Sequence, residues 1–141
     1  MVDIINVVKR NGRGKEPLNI EKIHEMVEYA CEDVSGVSSS QVEMNSGLQF
    51  YDNISTGEIQ QILIKSASDL ISLDQPNYQY VAARLLLYSL RKQVIDRLWD
   101  HPHIYDHVKK SVNKGIYDET LLTKYQRKDF DRMENWINHE R

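Results

Sequence analysis

Apolar residues recur at intervals of three and four along most of the chain, and the intervals are interrupted at a few sharp breaks. Ile20, Ile23, Val27, Ala30, Cys31 and Val34 form the first such stripe, which predicts a helix opened by Asn19 as N-cap, with Pro17 fixing the approach. Gly36 and the serines at 38–40 break it. Ser40 and Glu43 then read as a capping box for a second helix carrying Val42, Met44, Leu48 and Phe50, ending near Asp52 and Asn53. Thr56 is the predicted cap of a third helix, with Ile59, Ile62, Leu63, Ala67, Leu70 and Ile71 on one face. After the stop at 74–76, Asn77 is the predicted cap of a fourth helix. From Tyr80 to Leu90 this segment is apolar almost all round, which predicts the central and most buried helix, running to Trp99.

Strand-like pattern is confined to short pieces. Residues 4–10 (IINVVKR) are rich in β-branched side chains and predict a strand, with 15–18 as its return. Asn11-Gly12 between them predicts a two-residue hairpin turn, because both residues tolerate positive φ. Ile54-Ser55 adds a brief third strand. Beyond Trp99 the spacing predicts a helix over 103–114, a short helical turn over 118–124 and a helix over 127–139 with Phe130, Met133, Trp136 and Ile137 on one side. This tail has stripes but little to bury them against. The fold class is mainly α (α+β), divided as residues 1–95 and the start of a second, helical part at 96–141.

Composition narrows the function classes more than the fold. In 141 residues, 40% hydrophobic and 28% charged content is ordinary for a globular protein, and the net charge of −3 argues against bulk nucleic-acid binding. Cys31 is the only cysteine, so the chain holds no disulfide frame, thiolate cluster or redox pair, and it reads as a core residue of the first helix. No apolar run approaches the ~20 residues that span a bilayer. A cytoplasmic setting is the expectation. His101, His103 and His107 with Asp100 and Asp106 are weak metal candidates, better read as surface histidines beside acids.

What departs from the average is local. Lys9, Arg10, Arg13, Lys15 and Lys22 crowd the hairpin and the first turn of the helix after it. A helix start carries unpaired N–H groups and the positive end of its dipole, so cations beside it suggest an anion site. On charge alone a solvated basic hairpin is the simpler account. Convergence strengthens the other one. If the hairpin, the start of the first helix, Thr56 and the end of the fourth helix meet at one end of a sheet-capped bundle, then Lys9, Arg10, Lys22, Thr56 and Lys92 suit a triphosphate. Glu16 and Asn19 would then reach a base or ribose.

The segments VVKRNGRGKEPLNIEKI, QFYDNISTGEIQ, IKSASDLIS and PNYQYVAARLLLYSLRK together resemble the ATP-cone of the large (α) subunit of class I ribonucleotide reductase, and IYDHVKKSVNKGIYDETLL resembles the segment that follows the cone. The resemblance implies a four-helix bundle capped by a three-stranded sheet. It implies ATP or dATP as allosteric effector, compatible with Mg, with ATP keeping the reductase active and dATP switching it off through contacts with the small (β) subunit. It places nucleotide contacts on Lys9, Arg10, Glu16, Pro17, Leu18, Asn19, Ile20, Glu21, Lys22, Thr56 and Lys92, with Val7, Ile23 and Phe50 lining the base pocket. Gln60 stands where bacterial members often carry a histidine that contributes to the site and to dATP discrimination, so ATP binding is expected without strong dATP inhibition. The family's catalytic cysteines and any redox cofactor belong to other parts of that subunit. The expected partners are the remainder of the large subunit, the small subunit and the effector, with neither nucleic acid nor membrane. The alternative, a free-standing cone acting as a transcriptional or interaction regulator, is disfavoured because such regulators carry a cysteine-rich zinc ribbon.

Overall fold

A computed structural model describes residues 5–12, 14–95 and 101–139. The chain divides into two compact units, Met1–Gln93 and Val94–Arg141. Among the described residues there are seven α-helices and one three-stranded sheet, in keeping with a mainly α chain with a small β part.

The sheet that covers one end of the first unit is built on β1 (Asn6–Val8). It pairs antiparallel with β2 (Lys15–Pro17), with Val7 opposite Glu16. On its other side it pairs parallel with β3 (Ile54–Ser55), with Val7 opposite Ile54 and Val8 opposite Ser55. Asp52 fixes this second pairing by accepting from the Asn6 N–H at 2.9 Å and from its side-chain amide at 3.0 Å. Those bonds, led by the backbone one, hold the Asp52 carboxyl below its usual range. The turn from β1 to β2 is wider than the predicted two-residue hairpin. Residues 9–14 connect the strands through a 3-10 turn at Arg10–Gly12, and the Lys9 N–H closes the loop on the Gly14 carbonyl at 2.9 Å. Val8 pairs with Lys15, so six residues separate the strands and a tight two-residue primed turn is excluded; within them Gly12 (68°) and Gly14 (96°) take positive φ. The predicted strands are also shorter than 4–10 and 15–18; residue 4, like Arg13, lies outside the described residues.

Behind the sheet stand α1 (Ile20–Cys31), α2 (Ser39–Gly47), α3 (Thr56–Asp69) and α4 (Tyr78–Ile95). Asn19 caps α1 as expected, its side chain accepting from the Lys22 N–H at 3.1 Å. Ile23, Val27 and Ala30 of its stripe are buried, whereas Ile20, on the first turn, is 70% exposed. Cys31 is half-buried at the edge of the core rather than inside it, and burial raises its thiol pKa.

Two predicted caps shift. The N-cap of α2 is Ser38, with no side-chain bond, and Glu43 turns instead to His24 of α1 at 2.8 Å. Helix α2 ends at Gly47, so Leu48 and Phe50 fall in the loop after it, and Met44 points away from the core. The N-cap of α3 is Ser55, one residue before Thr56. Its hydroxyl accepts from the Glu58 N–H at 3.1 Å, and the Glu58 carboxylate accepts from the Ser55 N–H at 2.9 Å.

Helix α4 corrects a second reading. It is not buried all round: Tyr78, Val81, Leu85 and Tyr88 face the core, while Tyr80, Leu86, Leu87, Leu90 and Val94 are exposed. One face of a helix in a bundle this small meets neighbours, and apolar character on the other face does not bury it. Residues 96–99, where this helix was expected to continue, lie outside the described residues. Its start is tied down firmly. The Tyr78 hydroxyl donates to Gln41 at 2.5 Å and accepts from the Ser38 N–H at 3.0 Å, and Asn77 donates to the Ser35 carbonyl at 2.9 Å.

The second unit contains α5 (Ile104–Asn113), α6 (Thr120–Lys124) and α7 (Arg127–Glu134). Helix α7 stops at Glu134, so Trp136 and Ile137 lie past its end and are exposed. Val108 of α5 and Phe130 of α7 are the buried apolar residues of this unit among those described. Its histidines are engaged locally. His103 caps α5 and lies 3.2 Å from Asp131, and His101 stacks on His139 with centroids 4.6 Å apart. No three metal-ligating side chains are grouped among the described residues; Asp100 lies outside them.

Candidate functional site

The sheet-capped end of the first unit is where charged side chains meet helix starts. Strand β3 runs directly into α3, and its parallel pairing with β1 brings the basic loop of residues 9–14 to the N-terminus of α3. The contact is specific. A Cβ built on Gly57 would lie 3.8 Å from Arg10 Nε and 3.8 Å from Ser55 Oγ, so the guanidinium rests against the first turn of α3, close to its capping serine. Arg10 Nη1 is buried and has no hydrogen-bond partner among the described residues. A cation there opposes the positive end of the helix dipole, and a buried donor left unpaired costs about 1–3 kcal/mol. Both penalties vanish when an anion enters.

Lys9 extends from the other side of the same loop and pairs with Glu16 of β2 at 2.5 Å. The ammonium of Lys9, assisted by Lys22, holds the Glu16 carboxyl below the usual range. Lys22 lies in the first turn of α1, above the Asn19 cap, and makes no ion pair with another described residue. Lys9, Glu16, Asn19 and Lys22 therefore form one neighbourhood, joined through β1 to Arg10, Ser55 and Thr56. Thr56 is half-buried as the first residue of α3. One turn further, Gln60 donates to Met26 Sδ of α1 at 3.1 Å, while its Oε1 is buried without a partner.

The remaining candidates divide. Val7 and Ile23 are buried, Leu18 and Phe50 are half-buried, and Pro17, Ile20 and Glu21 are exposed. The Leu18 N–H donates to the Ile5 carbonyl at 2.8 Å, so that residue closes the hairpin by its backbone. Phe50 sits in the loop between α2 and β3, with no hydrogen bond from its backbone to any of the charged candidates. No hydrogen bond or ion pair among the described residues joins Lys92 to this neighbourhood. Arg84 of α4 lies at the C-terminal end of α1, and the Tyr88 ring packs on Tyr29 with centroids 5.6 Å apart. Lys92 is half-buried in the last turn of α4, eight residues on from Arg84. It makes no hydrogen bond or ion pair with another described residue.

Reading the sequence alone missed Ser55, Gly57 and Met26 as neighbours of this site. The S-x-x-E spacing of 55–58 was available as a signal for the first. Nothing local marks Gly57 or Met26, because each matters through a contact with a distant segment.

A comparison with known families bears on this geometry directly: residues 5–93 match the ATP cone domain. The chain belongs to the ATP-cone family. The matched span covers the cone's sheet, its capped helices and all but the last two residues of α4. Among curated proteins, the cone and the residues after it are 47% identical to the ribonucleoside-diphosphate reductase subunit alpha of Haemophilus influenzae and 46% identical to ribonucleoside-diphosphate reductase 1 subunit alpha of Escherichia coli, each over 96% of this chain. The corresponding subunit of Enterobacteria phage T4 is 37% identical over 99% of it. The chain spans 18% of the length of each of these relatives.

Proposed function

We propose that residues 1–95 are the allosteric nucleotide-binding domain of a ribonucleoside-diphosphate reductase large subunit, and that residues 96–141 begin the helical part that follows. The effector is ATP or dATP. The observation that carries this reading is Arg10, a buried donor without a partner held against the N-terminus of α3. A polyphosphate suits that place chemically, since it brings acceptors and negative charge together. Arg10, Lys9, Lys22 and Lys92 would hold the phosphates, with Thr56 supplying a hydroxyl and an N–H. Val7, Ile23 and Phe50 would flank the base, and Glu16 to Glu21 the ribose and base edge. A magnesium ion would travel with the phosphates.

The chain carries no pair of cysteines for ribose reduction, so chemistry would rest with the rest of the large subunit and with the small subunit. The reductase relatives, similar along nearly the whole chain, favour this reading over a free-standing regulator. Gln60 offers a buried acceptor and no cationic state, so dATP should bind without strong inhibition of the assembled reductase. Calorimetry on the 141-residue chain tests the core of the proposal. ATP should bind with release of heat and inorganic tripolyphosphate more weakly; silence from ATP at millimolar concentration overturns it.

A further inference from the structure

Glu16 is an unusual residue for an anion site. It is the one half-buried position of β2, whose flanking Lys15 and Pro17 are exposed. Directly opposed residues of paired strands share a face, so Glu16 lies on the side of the sheet from which Val7 enters the core. Its carboxylate is 2.5 Å from Lys9 and also feels Lys22. A phosphate that takes Lys9 must take it from this carboxylate. It must also settle beside a negative charge that a purely attractive site would lack.

We propose that Glu16 is a built-in competitor for the polyphosphate: it neutralises Lys9 within the protein, and exchange of Lys9 from Glu16 to a phosphate lowers and tunes effector affinity. This rests on the nucleotide reading above and adds a role for one residue of that site. The physical sense is selectivity by charge count. An anion that only exchanges for the carboxylate at Lys9 gains little, because one charge-assisted contact replaces another. A ligand whose chain also reaches Arg10 and Lys22 gains contacts that Glu16 does not already satisfy. The site is thereby biased toward di- and triphosphates and against single phosphates and carboxylates.

The test is a double-mutant cycle read by calorimetry with inorganic tripolyphosphate, which has no base or ribose to complicate the reading. Glu16→Gln should tighten binding about two- to fivefold, the range expected from releasing a partly exposed pair. In a Lys9→Gln background the same change should give no gain. Glu16→Ala should repeat the first result, and thermal melts of each variant confirm the fold. Unchanged or weaker binding by both Glu16 variants, or an equal gain with and without Lys9, overturns the proposal. Unchanged tripolyphosphate binding overturns it even where ATP binding weakens, because Glu16 would then act on the nucleoside alone. If neither tripolyphosphate nor ATP binds the unaltered chain, the nucleotide reading itself falls and takes this one with it; binding by the unaltered chain without the Glu16 effect removes only this one.

Discussion

Two arginines sit at opposite ends of the first unit, each against the end of a helix, and only one of them is at rest. Arg84 donates to the carbonyls of Ala30 and Glu32, where α1 runs out of internal partners and its dipole is negative. Arg10 lies against the first turn of α3, where the dipole is positive, and keeps a buried N–H unpaired. The far end is closed in the same spirit by Tyr78, which bridges Gln41 and the Ser38 N–H. At the near end, among the described residues, Arg10 Nη1 and Gln60 Oε1 are buried without a partner. The same residue type is thus a helix cap where it matches the helix field and an unpaired cation where it opposes it.

Substitutions can break this contrast, beginning where the effect is largest. Tyr78→Ala should cost about 3–5 kcal/mol in urea unfolding, because a fully buried ring and its two hydrogen bonds go together. Next come the two arginines. Arg84→Ala should destabilise by about 1–2 kcal/mol and leave ATP affinity within about twofold. Arg10→Ala should do the reverse, weakening ATP at least tenfold, or about 1.4 kcal/mol, without lowering the melting temperature. A drop in stability for Arg10→Ala matching that for Arg84→Ala would erase the distinction.

Gly57→Ala sharpens the contrast at one atom. The added methyl meets Arg10 at ordinary contact distance, and Gly57 has no positive φ to protect. Helix propensity should then raise stability by about 0.5–1 kcal/mol in thermal melts. A lower melting temperature would mean that Arg10 is packed more tightly than the distances indicate.

The smallest effect concerns His24, which joins α1 to Glu43 of α2 and to Glu28. The hydrogen bond that His24 donates to the Glu43 carboxylate, with that group's charge, raises the His24 pKa above 6.5. A raised pKa means the protonated form is favoured by folding. That contribution is complete below pH 6.5 and is lost as pH climbs through the raised value. The melting temperature should fall by no more than a few degrees over that window, since the pair is exposed, and His24→Gln should abolish the slope.

Features that depend on a few neighbouring residues were legible in the chain as written. Asn19 caps α1 because its side chain reaches an N–H three residues on, a relation that needs no tertiary partner. The third helix was legible for the same reason, although two adjacent hydroxyls, Ser55 and Thr56, made the cap ambiguous by one residue. The second helix was read poorly because its apolar residues are few, and its Glu43 answers to His24 rather than to its own N-terminus.

The candidate site divides along the same line. The residue types were apparent from the cluster of cations around 9–22, and so was the anion chemistry they suit. Their arrangement was not, because Arg10 meets α3 only through the parallel pairing of β1 with a strand more than forty residues away. Nor did the pattern decide which apolar face of α4 would be buried. Periodicity states that a face is apolar, while burial depends on whether another element arrives to cover it. By itself the sequence determined helices, caps and the chemical character of the loop. Only the tertiary structure decided that an arginine would face the wrong end of a helix and that a lysine would be held by Glu16, because charges at fixed sequence spacing acquire an energy only once folding sets the distances between them.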